Sequence, residues 1–353
     1  MSGAVAITAV HCLEPGTDWS ASATDLLVAA AEPILPPRVD ALFCAAGSFP
    51  LFQRQANAAA IACDRLSLRC PAFTLDAGDL SVAIALCAAW QFVTAHPRSI
   101  ALVLGAAKLS DFGENERISI LDTLLDGEGY AGAGRPSFAA QAGLLAAALV
   151  RQDDLPPDTF ATISAANYAR WASGRGARSP TAAALAQDLV VAPPLVRSDF
   201  AALHDGAGAL VLSSDPDALP LAMLAGTSAA SDVVDVWDRP DPFNFSCVRE
   251  AARLQCPDYR PEWIEIDTFG SLAEHLTMRA LDGLWPAVHG QEPMRRNTRG
   301  ASQGRGRPFG VSTIYIVDDF CRAANAGESA LLLAISGLGA AAVAARLVKD
   351  VAT

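Results

Sequence analysis

Pro71 to Trp90, PAFTLDAGDLSVAIALCAAW, is the stretch from which the fold can be read. Phe73, Leu75 and their neighbours form a short apolar run suited to a buried strand. After Asp76-Ala77-Gly78-Asp79 the pattern changes to Val82, Ile84, Leu86 and Ala89 in an alanine-rich run suited to a buried helix. Strand, tight turn and helix follow in that order. Such a turn presents one residue at the helix N-terminus, where free backbone N–H groups and the helix dipole favour an anion or an activated nucleophile. That residue is Asp79.

On the N-terminal side, Ala4 to Val10 reads as a strand, and Thr24 to Ala31 as a helix that stops before Pro33, Pro36 and Pro37. Val39 to Cys44 reads as a second strand and Gln55 to Leu66 as a second helix. On the C-terminal side, Ile100 to Leu104 is a strand ending at Gly105. The order β, α, β, α, β implies a parallel sheet covered by helices. From Lys108 to about Arg197 the pattern loosens around Gly127, Gly129, Gly132, Gly134, Gly174 and Gly176, with helical runs at Phe138 to Val150 and Thr181 to Leu189. An insertion of this length usually builds the walls of a site or an oligomer contact. Order returns at His204 to Ser213, HDGAGALVLSS.

A second half follows the same plan. Leu219 to Leu224 reads as a strand, Ser246 to Leu254 as a helix and Trp263 to Ile266 as a strand. Thr313 to Asn325 reads as a helix entered through Gly306-Arg307-Pro308-Phe309-Gly310, and Ser329 to Ile335 as a final strand. From the strand at Val39 to that at Ile100 is about sixty residues, and from Trp263 to Ser329 about sixty-six, which points to an internal duplication. A doubly wound dinucleotide fold is the rival, but no G-x-G-x-x-G follows the first strand.

A net charge of −12 over 353 residues argues against a nucleic acid or an anionic membrane as partner. The one basic concentration, Arg295, Arg296, Arg299, Arg305 and Arg307, is short and reads as local. The chain opens MSGAVAITAV, without a basic n-region, so no secretory signal is expected. Its longest apolar run, Ala330 to Ala345, is broken by Ser336, Gly337 and Gly339 and falls short of the ~20 residues of a membrane span. A soluble cytoplasmic protein is the expectation. Cys12, Cys44, Cys63, Cys70, Cys87, Cys247, Cys256 and Cys321 have no metal-ligand spacing and read as buried free thiols, so neither a metal nor a cofactor is expected.

Several motifs carry a family resemblance that covers nearly the whole chain. Pro71 to Trp90 resembles, without a gap, the nucleophile segment of β-ketoacyl-ACP synthases and thiolases, in which a strand ends, a cysteine follows and a helix begins. His204-Asp205-Gly206-Ala207-Gly208-Ala209 resembles the DGAGA or DGAAA segment of the same enzymes. Gly226 to Asp232 with Asp238-Arg239-Pro240-Asp241 looks like the connection of sterol-carrier-protein-type thiolases. Gly304-Arg305-Gly306-Arg307-Pro308-Phe309-Gly310 looks like the thiolase GRGHPLG loop, and Ala334-Ile335-Ser336-Gly337-Leu338-Gly339 like the glycine-rich turn near the C-terminus.

The resemblance implies an α/β thiolase-like fold, two similar βαβαβ halves in five αβαβα layers, at 1–215 and 216–353, with a loop insertion at about 108–197. It also implies a chemistry, Claisen condensation or its reverse. A thiolate attacks an acyl thioester, histidines or an asparagine stabilise oxyanion and enolate charge, and in thiolases a second cysteine moves the α-proton. Here the nucleophile position holds Asp79. The histidine position after the Trp263 strand holds Asp267 or, with a one-residue shift, Ile266. Arg307 stands for the histidine of the GHP loop, and Ala334 or Ser336 for the second cysteine.

Asp79, Asp267, Arg307 and Ser336 are therefore the candidate site residues, and Arg305 and Arg307 the candidate phosphate contacts. Taken by themselves, Asp79 reads as a helix-capping carboxylate or a group in a new catalytic role. Arg307 reads as an ion-pair partner of Asp79 or Asp267, or as a phosphate ligand. His11, His96, His204, His275 and His289 miss the family's catalytic positions and read as surface or packing residues. The resemblance implies a catalytically inactive partner subunit of an active homologue in acyl thioester metabolism, in a fatty-acid, polyketide or lipid pathway. It would be a homodimer or a heterodimer with a thiolase or ketosynthase, meeting acyl carrier protein or acyl-CoA. The alternative is an active acyltransferase or acyl-CoA-handling enzyme that uses Asp79 in place of the cysteine.

Overall fold

The structure, a computed structural model, describes residues 4–128, 137–173, 175–258, 260–285 and 294–349. Gly129, Gly132, Gly134, Gly174 and His289 lie outside the described residues. In the first part of the chain β1 is Val5–Cys12, β2 Ala41–Ala45, β3 Ala72–Leu75 and β4 Ile100–Ala107. Helices α1 (Ala23–Ala31), α2 (Ala58–Arg65) and α3 (Ser81–Ala95) connect them. The α1 helix begins with a capping box in which Ser22 and Asp25 satisfy each other's backbone N–H groups. In α3 the buried residues Val82, Leu86, Ala89 and Val93 recur at helical spacing, and the helix stops at His96, extended before Pro97.

The insertion carries α4 (Glu114–Ser119), α5 (Phe138–Asp153), α6 (Thr159–Ser173), the single turn α7 (Ala182–Leu185) and a small hairpin, β5 (Val190–Ala192) with β6 (Leu195–Val196). The expected helix at Thr181 to Leu189 is thus only four residues, and α6 is an element that periodicity did not pick out. The buried face of α6 includes Ser164 and Asn167, which escape an apolar count because their partners lie far along the chain. β7 (Gly206–Ser213) closes the first part.

The second part contains β8 (Ala222–Ser231), α8 (Ser246–Gln255), β9 (Trp263–Asp267), α9 (Ser271–Leu281), β10 (Arg295–Arg296), α10 (Ala301–Arg305), α11 (Ser312–Ala323), β11 (Ser329–Ser336) and β12 (Ala341–Val348). The strand at Ser329 is not the last one. Ser336-Gly337-Leu338-Gly339 turns the chain back, and the alanine-rich β12 pairs antiparallel with β11 from Ser329↔Val348 to Ser336↔Ala341.

The strand order is β10-β9-β11-β12-β8-β1-β7-β4-β2-β3. Read from each outer edge inward, both parts have the same pattern: third strand, second, fourth, fifth, first. The expectation of a parallel sheet holds only for β2, β3, β4 in the first part and β9, β10, β11 in the second. β7 and β12 run antiparallel to both of their neighbours.

Alternation along each strand sorts side chains into layers. Ala41, Phe43, Ala45 and Val103 face a central layer, while Leu42, Cys44 and Leu104 face α1 and α2. In the second part Leu332 and Ala334 face the same central layer, while Leu331, Leu333 and Ile335 face α8 and α9. The central layer is α3 with α11, and the whole is helices, sheet, helices, sheet, helices. Gly78–Ala95 is long and apolar enough to cross a membrane by composition, yet here it is this central helix. β3, expected as a buried strand, lies at the sheet edge, and Phe73 is 46% exposed there while stacking on Phe43.

Candidate active site

The two central helices begin side by side because two glycine turns interlock. Gly78 has φ +56°, and a Cβ on Gly310, whose φ is +73°, would stand 2.7 Å from the Gly78 carbonyl oxygen. Only glycine lets the backbones approach this closely. The Val82 N–H donates to the Gly310 carbonyl at 2.9 Å, and the Ser81 hydroxyl donates to that of Gly78 at 2.7 Å. The turn before α3 and the Gly306 to Gly310 loop before α11 are thereby one unit.

Period-2 alternation along β9 turns Asp267 to the same centre, with Ile264 and Ile266 on the other face. Its carboxylate accepts from Ser302 Oγ at 3.1 Å, Ser312 Oγ at 2.7 Å and Thr313 Oγ1 at 2.8 Å, the last two in the first turn of α11. Arg307 lies between the carboxylates, with Nη2 3.3 Å from Asp79 Oδ2 and Nε 3.5 Å from Asp267 Oδ1. The Arg307–Asp79 contact is a hydrogen bond; the Arg307 Nε–Asp267 contact is electrostatic only. Asp79 Oδ2 also accepts from the Gly337 N–H at 3.3 Å, in the turn that follows Ser336. Asp79 thus caps no turn of its own helix but reaches across to the other half.

Asp79, Asp267 and Arg307 are all at most 1% exposed. Asp79 Oδ1 and Arg307 Nη1 have no hydrogen-bond partner among the described residues. Arg305 stands apart. It pairs with Asp319, and its guanidinium lies 5.4 Å from the Tyr315 ring and 5.6 Å from that of Trp171. Among the described residues no group of three His, Cys, Asp or Glu side chains could hold a metal.

A cavity of about 530 Å³ approaches this centre from the insertion side, bounded by Arg117, Leu121, Phe138, Tyr168, Leu203 and His204 among others. Neither Asp79, Asp267, Arg307 nor Ser336 lines it. Phe138 lines the cavity and its Cε2 lies 3.7 Å from a Cβ built on Gly337, and Leu124 Cδ2 lies 3.0 Å from one built on Gly78, so apolar side chains pack on both turns of the site. Sequence reasoning assigned His204 a surface or packing role, whereas it lines this cavity with a buried Nδ1 that lacks a partner among the described residues. Its place beside the Asp205 motif was the available signal. Of the other histidines, His11 Nδ1 meets the Ala30 carbonyl at 3.0 Å, His96 stacks on Phe92 at the end of α3, and His275 packs edge-on to Phe160.

Burial is the largest influence on Asp79 and holds its pKa above the ordinary carboxylate value, with Arg307, Ser336 and the Gly337 N–H pulling the other way. The folded state therefore binds this proton more tightly than the unfolded chain does. The group favours folding at low pH, and that contribution is lost as pH rises from the ordinary value, 3.8, through the raised one. Asp79→Asn is expected to remove this slope. The variant should be at least as stable as the wild type at neutral pH and lose that advantage near pH 4, as read from denaturation midpoints. A variant less stable at neutral pH than at pH 4, relative to wild type, would reverse the assigned direction.

The five-layer duplicated architecture with two helix N-termini meeting at its centre is that of the thiolases. The chain has the thiolase fold: it superposes on the Acat5 thiolase from Ascaris suum in complex with coenzyme A with a TM-score of 0.71 and 17% identity, covering 98% of this chain and 99% of that one. On human mitochondrial 3-ketoacyl-CoA thiolase the TM-score is 0.72 with 16% identity, covering 98% and 99%. On the dimeric peroxisomal thiolase of Saccharomyces cerevisiae it is 0.70 with 13% identity, covering 99% and 98%. No family model matches the chain, and no curated protein matches it in sequence.

Proposed function

We propose that this chain is a catalytically inactive thiolase-fold subunit that partners an active homologue in acyl thioester metabolism. The observation that carries the reading is the state of the central position. Where the family resemblance calls for a thiol open to an acyl thioester, this chain has a carboxylate bonded to Arg307, 1% exposed and outside the lining of the neighbouring cavity. A carboxylate there cannot form a thioester, and Arg307, already engaged with two carboxylates, replaces the histidine that would stabilise an oxyanion. The reading includes two half units, 1–215 and 216–353, supported by the repeated strand order.

The exposed edge strand β3, with Phe73 outward, supports a partner subunit that continues the sheet. One of the fold's neighbours is itself described as dimeric. The rival reading, an acyltransferase with Asp79 as base, draws support from the raised pKa of that carboxyl. Its exclusion from the cavity counts against it. The test is intact-mass spectrometry after incubation with acetoacetyl-CoA and with acetyl-CoA, on protein whose oligomeric state is first fixed by sedimentation. No acylated species and no thioester cleavage are expected. Stoichiometric acylation, or cleavage lost in Asp79→Ala, would replace this reading with the rival one.

A further inference from the structure

At the outer edge of the second half, a cavity of about 540 Å³ is lined by Arg170, Arg260, Arg295 and Arg296, with Ile264 and Met278 among its apolar walls. We propose that this cavity is an oxyanion site that takes a phosphate-bearing small molecule. In a chain of net charge −12, its lining among the described residues contains four guanidinium groups and no carboxylate. They arrive from three separate stretches: α6, the approach to β9, and β10. The sequence cluster at Arg295 and Arg296 is thus one wall of a site that Arg170 and Arg260 complete.

Two of the four charges are already balanced. Arg296 Nε lies 3.1 Å from Glu274 Oε1, and Arg295 pairs with Glu328 while its guanidinium stands 4.5 Å from the Trp263 ring. Arg170 Nη1 donates to Asn167 Oδ1 at 3.0 Å and is drawn electrostatically to the buried Glu274 and Glu265, while Arg260 has no ion-pair partner among the described residues. The four guanidiniums outnumber Glu265, Glu274 and Glu328, the three carboxylates they engage, so the cavity keeps a positive charge that suits an oxyanion. The planar forks of arginine bind phosphate oxygens in pairs, and partial burial strengthens such contacts. The apolar floor suits an uncharged remainder of the ligand.

This site is separate from the insertion cavity. Tyr168 lines that cavity and Arg170 this one, and two residues of α6 place them on opposite sides of the helix, about 200° apart. The proposal therefore does not depend on the function proposed above.

The test is calorimetric titration of the full chain with pyrophosphate as probe, at low and at physiological salt. Saturable binding at one site per chain, weakened by salt, is expected. Arg170→Gln/Arg260→Gln should weaken it at least about tenfold, and Arg260→Gln alone should weaken it measurably if the double variant folds poorly. Arg38→Gln/Arg98→Gln, which removes two exposed arginines elsewhere, should leave it unchanged. Absence of saturable binding, equal weakening by both double variants, or binding of citrate but not pyrophosphate would each overturn the site.

Discussion

Arg307→Met is expected to lower the stability of this protein by about 3–5 kcal/mol, because it strips the cation from two buried carboxylates at once. Asp79 can respond by taking a proton, a change its burial already favours. Asp267 keeps its three hydroxyl donors but loses its ion-pair partner, and desolvation of a carboxylate without a counter-charge is the costly outcome. The physical content of the prediction lies in the rescue. Replacing all three charges together, Arg307→Met with Asp79→Asn and Asp267→Asn, should recover most of the loss, since exchanging a whole buried ionic group for neutral residues of similar volume is often close to neutral. Denaturant midpoints with an unchanged slope are the measurement. A single variant within about 1 kcal/mol of the wild type, or a triple variant no better than the single, would mean that this charge cluster does not hold the two halves' turns together.

Asp79→Cys is expected to yield a thiol that iodoacetamide alkylates more slowly than the native, partly exposed Cys70. Read from the sequence alone, the opposite follows: a thiol at a helix N-terminus beside Arg307 should have a lowered pKa and high reactivity. Burial reverses that expectation. Cys44 and Cys321, equally enclosed in this fold, have thiol pKa values pushed up to about 12. Entry is the second barrier, because position 79 is 1% exposed and does not line the insertion cavity, whose wall includes Phe138. Adding Phe138→Ala should join that cavity to position 79 and raise the alkylation rate by at least about tenfold, equivalent to removing some 1.4 kcal/mol of opening free energy. Neither variant should condense or cleave acyl thioesters, since a single missing oxyanion donor can by itself cost ~10²–10³ in rate. Rapid alkylation of Asp79→Cys without the second change would show that the position is open in solution, and restored condensation would show that the oxyanion donors have been misassigned.

The amino-acid sequence by itself determined the parts of this protein whose signals are local. Val82, Ile84, Leu86 and Ala89 mark the central helix in an alanine-rich run, Gly78 and Gly310 stand in the two turns that precede the central helices, and the similar separations of β2 from β4 and β9 from β11 point to the duplication. Asp79 could be picked out from the strand, turn and helix around it, and Asp267 and Arg307 from the resemblance of their segments to thiolase motifs.

Tertiary structure alone decided what depends on pairing over long separations. The edge position of β3 follows from the partners of β2, not from the residues of β3 itself, and the antiparallel placement of β7 and β12 follows from the sheet they complete. The alanine-rich β12 is a strand because β11 and β8 pair with it on both sides. The polar face of α6 is helical and buried because Glu274 and Gln303, more than a hundred residues away, hydrogen-bond Asn167. The packing of Leu124 on Gly78 and Gly337, and the meeting of Arg170, Arg260 and Arg295 around one cavity, arise in the same way. Side chains remote in sequence become neighbours only once the register of the whole sheet is set.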